Sequence, residues 1–324
     1  GMVPRKEVWI MLQYYMTENG RLQEIQAFKE GCWISMVAPV EKEIQYICEQ
    51  YSLPDDVLKA ALDTDERSRI EVDDNYTMVL VNIPTVEEQS DRELYSTIPM
   101  SILIVQDAMI TVCSENSPVI KAFAQGKVRD FNTFMKSRFI LQFLYRIDTL
   151  YLRYLRNVDK KSDEIEDQLH KSTKNSELIE LLKLEKSLVY FSTALRSNEA
   201  VLEKLLRTAL IKKYPEDSEL LEDVIVENKQ AIEMADIYSG ILSGMMDAFA
   251  SVISNNLNIV MKVLAIITIV MAIPTIVFSA YGMNVNASGM PFAQSPFGFT
   301  IIVFMVIMIS VFVALIFRKA KMFK

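Results

Sequence analysis

The strongest constraint on what this chain can fold into is an absence: residues 263–317 contain no Asp, Glu, Lys, Arg or His. Two apolar runs fill that stretch, residues 263–283 and 298–317, of 21 and 20 residues. Each matches the roughly 20 helical residues needed to cross a bilayer core. A water-soluble helix of that length without one charge is rare, so both runs are read as transmembrane helices. The 13 residues between them, 284–296, are also uncharged, whereas the second run is followed by Arg318, Lys319, Lys321 and Lys324. Basic residues collect on the cytoplasmic side of membrane helices. The tail is therefore expected in the cytoplasm, the short loop outside and the long N-terminal part inside, which places the chain in the cell membrane with both termini cytoplasmic.

The remaining sequence belongs to water. All 42 acidic residues precede residue 263, and removing the four basic residues of the tail from the formal net charge of −8 leaves −12 on the first 262 residues. An acidic surface argues against nucleic acid and is compatible with cations. At the N-terminus Arg5, Lys6 and Glu7 are followed by Trp9, Ile10, Met11, Leu12, Gln13, Tyr14 and Tyr15, too short and too polar a run for a signal peptide. Gly1 ahead of Met2 reads as a residue left by expression cloning. Cys32, Cys48 and Cys113 have no CxxC spacing and are expected to be reduced and structural.

Over residues 1–130 strand and helix signals mix. Residues 77–83, 101–105 and 109–113 read as short buried strands. Residues 39–51 carry Ile44, Ile47 and Cys48 at helical spacing after Pro39, and residues 53–62 follow with Pro54, Asp55 and Asp56 in a first turn. The expectation is one α/β domain, a sheet flanked by helices. From residue 132 no Gly or Pro occurs until Pro215, and apolar residues recur at three and four. Phe139, Phe143, Ile147, Leu150, Tyr154 and Val158 make one stripe; Leu178, Leu181, Leu184, Leu188 and Phe191 make another. The polar run 171–176 is the expected turn between these antiparallel helices, the second of which ends near Lys212 and Lys213. Pro215 with Glu216, Asp217 and Glu219 starts a further helix. Unbroken to residue 280, it would measure ~100 Å at 1.5 Å per residue, leaving the membrane as a stalk. A helix that long needs partners, either in a coiled-coil-like oligomer or along the preceding helical pair.

Asp247, Ala250, Ser254, Asn258, Met261, Leu264, Thr268, Ala272, Thr275 and Ser279 recur at steps of three and four and so share one helix face. That face is small or polar for most of its length, whereas Ile266, Ile267, Ile269, Val270 and Ile273 beside it suit lipid or a partner helix. It is either a tight helix-packing seam or the lining of a pore around a symmetry axis. Periodicity alone does not separate the two. Directly after it, at the outer mouth, comes Tyr281-Gly282-Met283-Asn284, whose bland reading is a helix C-cap ended by Gly or Asn.

At this motif the chain resembles the CorA family of magnesium channels, whose signature is a Gly-Met-Asn triplet ending the first of two C-terminal transmembrane helices. The resemblance extends through Asn258, Ile259, Val260, Met261, Lys262, Val263 and Leu264, similar to the family's inner-pore segment, and through the two-span, basic-tail layout. It also takes in Arg69, Ile70, Glu71, Val72, Asp73 and Asp74, and Ile98, Pro99, Met100, Ser101, Ile102, Leu103 and Ile104, so it covers nearly the whole chain. It implies a homopentamer around a pore, with Asn284 as selectivity residue beside the backbone carbonyls of Gly282 and Met283. It further implies an inner polar ring at Asn258, a hydrophobic gate at Met261 and Leu264, and polar rings at Thr268 and Thr275, with Ala272 and Ser279 on the same lining. Gating is implied by Mg2+ held between cytoplasmic domains, with Asp247 and Asp223 as candidate ligands; Asp223 reads equally as a solvated acid on the stalk. Magnesium gives up its waters reluctantly, so a selective mouth should grip the hydrated ion through outer-sphere hydrogen bonds, with Gly282 letting the backbone turn out of the helix.

One stretch departs from the family. Members commonly have Met-Pro-Glu-Leu in the outer loop, whereas here the residues are Met290-Pro291-Phe292-Ala293. A loop without carboxylates cannot concentrate cations electrostatically, so Co2+, Ni2+ or Zn2+ stand beside Mg2+ as the transported ion. His170, the sole histidine, is expected at the surface, and a soft-metal site would want more His or Cys. No GxGxxG, P-loop, nucleophile elbow or Cys/His pair occurs, which excludes the usual enzyme signatures and any organic cofactor they would hold. A membrane-anchored sensor or scaffold is the other alternative, but an anchor would not need a polar stripe running to a Gly-Met-Asn mouth. The expected organisation is a cytoplasmic α/β domain (1–130), antiparallel helices (131–214), a helical stalk (215–262), a pore-lining first span (263–283), an outer loop (284–296), a second span (297–317) and a basic tail (318–324), assembled in the lipid bilayer as a homopentameric funnel.

Overall fold

In a computed structural model of the chain, residues 12–89, 92–171, 175–208 and 215–319 are described. The N-terminal residues through Met11, residues 172–174 of the polar turn, Lys212, Lys213, Lys321 and Lys324 lie outside them, as does the side chain of His170. Seven strands make one mixed sheet: β1 (Leu12–Glu18), β2 (Arg21–Ile25), β3 (Cys32–Val37), β4 (Arg69–Val72), β5 (Thr77–Gln89), β6 (Arg92–Ile104) and β7 (Ala108–Cys113), in the order β2-β1-β3-β7-β6-β5-β4. Only β3 and β7 pair in parallel, Cys32 opposite Ala108 and Val37 opposite Cys113. The three apolar segments read as strands lie in β5, β6 and β7. The other four strands escaped that reading for physical reasons: β1, β2 and β4 are largely half-buried or exposed, and the short run of β3 is interrupted by Ser35.

Alternation along β3 sorts its side chains onto two cores. Ile34 and Met36 join Leu80, Leu103, Ile110 and Val112 against Ile44 and Ile47 of α1 (Glu41–Tyr51) and Val57 and Leu58 of α2 (Asp55–Lys59). The N–H of Val40 donates to the Glu43 carboxylate at 3.0 Å, a capping contact that starts α1 after Pro39 rather than at it. On the other face Trp33, fully buried, meets Phe123 of α3 (Pro118–Ala124), Phe131, and Phe139 and Phe143 of α4 (Lys136–Lys171), with ring centroids 5.6 to 6.5 Å away. Its indole N–H donates to Thr111 Oγ1 at 2.9 Å, so the one polar atom of that ring is satisfied in the core.

Helix α5 (Asn175–Arg207) buries Leu181, Leu184, Leu188 and Phe191, the last 5.2 Å from Tyr151 of α4. Asn198 fastens α5 to the sheet: its oxygen accepts from the Asn82 N–H at 2.9 Å and the Ser68 hydroxyl at 2.8 Å, and its nitrogen donates to the Asn82 carbonyl at 2.8 Å. Helix α6 (Pro215–Tyr281) is 67 residues long. Its acidic first turn does more than meet the helix dipole, because Glu216 and Asp217 grip Arg138 of α4 at 2.7 and 3.1 Å. Asp217 is fully buried and also accepts from the Ser137 hydroxyl.

Contacts divide the chain into residues 1–245 and 246–324. The second unit holds the C-terminal part of α6, a single 3-10 turn (Ala287–Gly289) and α7 (Gly298–Lys319). Both α6 and α7 are long and apolar enough to cross a membrane, and their apolar windows are almost wholly exposed.

Candidate functional site

Within the second unit α6 carries two stripes on opposite sides. Ile259, Val263, Ile266, Val270, Ile273 and Val277 recur at helical spacing and are half-buried or buried, Ile266 most completely. The matching stripe of α7 runs through Ile302, Val306, Ser310, Val313 and Phe317, centred on buried Val306. Each stripe is the most covered face of its helix. About half a turn away on α6, at ~100° per residue, lie Asp247, Asn258, Met261, Leu264, Thr268, Thr275 and Ser279, all exposed, with Ala272 half-buried. Met261 and Leu264 are each 56% exposed, close to Val260, Met271 and Ile276 elsewhere on the helix. Asp223 is exposed in the first unit.

The two threonine hydroxyls on this stripe have a fixed direction. Thr268 donates to the Leu264 carbonyl and Thr275 to the Met271 carbonyl, both at 2.9 Å. The spacing of these threonines is legible in the sequence, but the rotamers are not.

The Gly-Met-Asn segment lies at the end of α6 and the start of the loop after it. The N–H of Gly282 closes the last turn on the Phe278 carbonyl at 2.9 Å. Neither Gly282 nor Asn284 has a left-handed φ, so the helix does not end on the glycine cap of the bland reading. Nor does Gly282 provide the conformational freedom expected of it: a Cβ there would stand 3.3 Å from the Phe278 carbonyl oxygen, so its contribution is room. Asn284 is exposed, and among the described residues no hydrogen bond engages its side chain. Beyond it the loop is clasped. Tyr281 Oη donates to the Pro291 carbonyl, Phe292 is left-handed at φ 60°, and Gly298 sits so close that a Cβ would come within 2.1 Å of the Phe292 carbonyl oxygen. Sequence reasoning missed the clasp; Tyr281 and Gly298 flanking an uncharged loop were its only trace.

Among the described residues no three His, Cys, Asp or Glu side chains converge on a point where a metal ion could be held. Asp223 and Asp247 therefore belong to no ligand set among the described residues.

A water-soluble α/β domain followed by two helices fit to cross a bilayer defines a two-span membrane protein. Residues 28–319 match the family model described as CorA-like Mg2+ transporter protein, and the chain belongs to that family. It is 28% identical over 297 residues to the cobalt/magnesium transport protein CorA of Methanocaldococcus jannaschii, covering 89% of this chain and 90% of that relative. Identity to the protein of the same name from Thermotoga maritima is 24% over 296 residues, 89% of this chain and 82% of the relative. The complete structure of the CorA magnesium transporter from Methanocaldococcus jannaschii superposes with a TM-score of 0.79 at 26% identity, covering 95% of this chain and 98% of the other.

Proposed function

We propose that the chain is a homopentameric channel admitting divalent cations, magnesium foremost, into the cytoplasm, with the Asp247-to-Ser279 face of α6 lining the pore. The observation that carries this reading is the polar stripe of α6. It lies opposite the buried stripe of α6, is exposed at every position but half-buried Ala272, and runs out at an exposed Asn284 whose side chain no hydrogen bond engages among the described residues. Polar groups facing lipid are costly, so this face needs water or further copies of the chain around it, and a ring of copies supplies both. Relatives named for cobalt and magnesium transport point to the cargo.

In this arrangement Asn284 and the carbonyls of Gly282 and Met283 receive the hydrated ion, Thr275 and Thr268 pass it inward, Met261 and Leu264 form the dry gate, and Asn258 is the inner polar ring. A regulatory Mg2+ would draw carboxylates from more than one copy, with Asp247 and Asp223 as the contributors. The basic tail and the acidic domain sit in the cytoplasm. Cobalt, nickel and zinc are the competing cargoes.

The test is divalent ion entry into proteoliposomes, wild type beside Asn284→Ala, with cobalt, nickel and zinc as competitors. Saturable magnesium entry lost in the variant is expected. No entry of any divalent ion with the wild type would leave a membrane-anchored sensor or scaffold instead.

A further inference from the structure

Helices α4 and α6 meet across a polar pair that has no countercharge. Asp148 of α4 is 3% exposed and Asn228 of α6 is 0% exposed. The Asn228 amide nitrogen donates to Asp148 Oδ1 at 3.1 Å, while Asn228 Oδ1 is buried without a donor. No ion pair reaches Asp148 among the described residues. The titratable groups around it make a charge there less favourable still. Glu227, beside Asn228 on α6, repels it. Tyr151, one turn along α4, has its hydroxyl committed to the Asn82 carbonyl at 2.9 Å and its ring against Phe191 of α5.

An ionised Asp148 would thus leave two defects, an enclosed carboxylate without a cation and an enclosed amide oxygen without a donor, and each is costly. A single proton removes both. Placed on Oδ2, it neutralises the acid and can be donated to Asn228 Oδ1 while the existing bond runs back from the amide nitrogen to Asp148 Oδ1. We infer that Asp148 and Asn228 form a proton-binding site, a neutral carboxylic acid and an amide closing a two-bond ring between α4 and α6. Burial independently pushes the Asp148 carboxyl well above the usual carboxylate range, with the Asn228 hydrogen bond opposing and Glu227 adding to the rise. The proton comes from solvent and returns there when the pair opens.

The ring fastens α4 to the helix that continues into the first span, and it holds only while the proton stays. Because the folded-state carboxyl titrates above the unfolded one, its contribution is complete below the unfolded carboxylate range, about pH 4. It is lost as pH rises towards the folded value, the unfolding equilibrium shifting about tenfold per pH unit across that window.

The test is infrared spectroscopy of the full chain in detergent micelles at neutral pH, with and without isotope-labelled aspartate carboxyl groups. A carbonyl band of a protonated, unhydrated aspartic acid is expected, shifted by the label, lost on alkaline titration and missing from Asp148→Asn. Absence of that band from the wild type at neutral pH overturns the inference. Thermal midpoints against pH give a second readout: Asp148→Asn, neutral and of the same shape, should flatten the decline that begins above about pH 4, and an unchanged decline also overturns it. If the variant does not fold, the wild-type band and its isotope shift still decide. Neither readout depends on ion flux, so its failure is distinguishable from failure of the channel reading.

Discussion

Tyr281 Oη donates a 2.8 Å hydrogen bond to the carbonyl oxygen of Pro291, tying the last residue of α6 to the far side of the loop that follows it. Asn284 lies inside the span so closed. Tyr281→Phe keeps the ring and removes about 1 kcal/mol of hydrogen bonding. Under the channel reading, the half-saturating magnesium concentration should rise roughly fivefold, as that free energy implies, and discrimination against cobalt should weaken while the oligomer survives. Ion-competition flux with size-exclusion chromatography measures both.

Gly298 and Phe292 sit at the other end of the clasp. Gly298→Ala would force a Cβ to within 2.1 Å of the Phe292 carbonyl, an overpacking expected to lower stability by about 2 kcal/mol or more. Phe292→Gly should do the reverse and gain about 1 kcal/mol, because a left-handed φ is free for glycine and strained for phenylalanine. Thermal midpoints of the two variants in detergent should therefore move in opposite directions.

Phe292→Glu would put a carboxylate where the uncharged loop has none. Cation entry should rise at low ionic strength and return to the wild-type rate as added salt screens the new charge over about 10 Å. A salt-independent change in flux would count against electrostatic concentration at the mouth.

Arg138 joins α4 to the first turn of α6 through Glu216 and fully buried Asp217. Arg138→Met should destabilise the chain by about 3 kcal/mol, since the enclosed carboxylate loses its cation. Adding Asp217→Asn should recover part of that loss, a coupling that a double-mutant cycle in chemical denaturation reads directly.

Cys48 and Cys113 have thiols pushed up to about 11, in both cases chiefly by burial, and burial likewise raises Cys32. The reactive thiolate is therefore scarce at neutral pH. All three should resist alkylation at pH 8 until denaturant is added. With folded values above unfolded ones, their contribution to stability is complete below about pH 8 and is lost as pH climbs through 11.

The legible parts of this protein are those with a period. Two uncharged runs gave the spans, and steps of three and four gave the stripe from Asp247 to Ser279. The central strands β5 to β7 were visible as apolar runs. What could not be read depends on meetings between distant residues. β3 pairs in parallel with β7 across more than seventy intervening residues, and nothing local encodes that partnership. Asp217 looked like a dipole partner until Arg138 arrived from another helix. The loop around Phe292 has neither charge nor periodicity, so its closure rests on one hydroxyl and one missing Cβ.

The hydroxyl protons of Thr268 and Thr275 are turned back onto their own helix, so the oxygens offer lone pairs outward. Under the channel reading, water bound to a cation points its hydrogens away from the ion and finds acceptors at both levels; water bound to an anion points its oxygens away and finds none. In that reading a preference for the sign of the charge is set by two side-chain torsions rather than by any formal charge. Such a filter acts at contact distance, where dissolved salt has no room to weaken it.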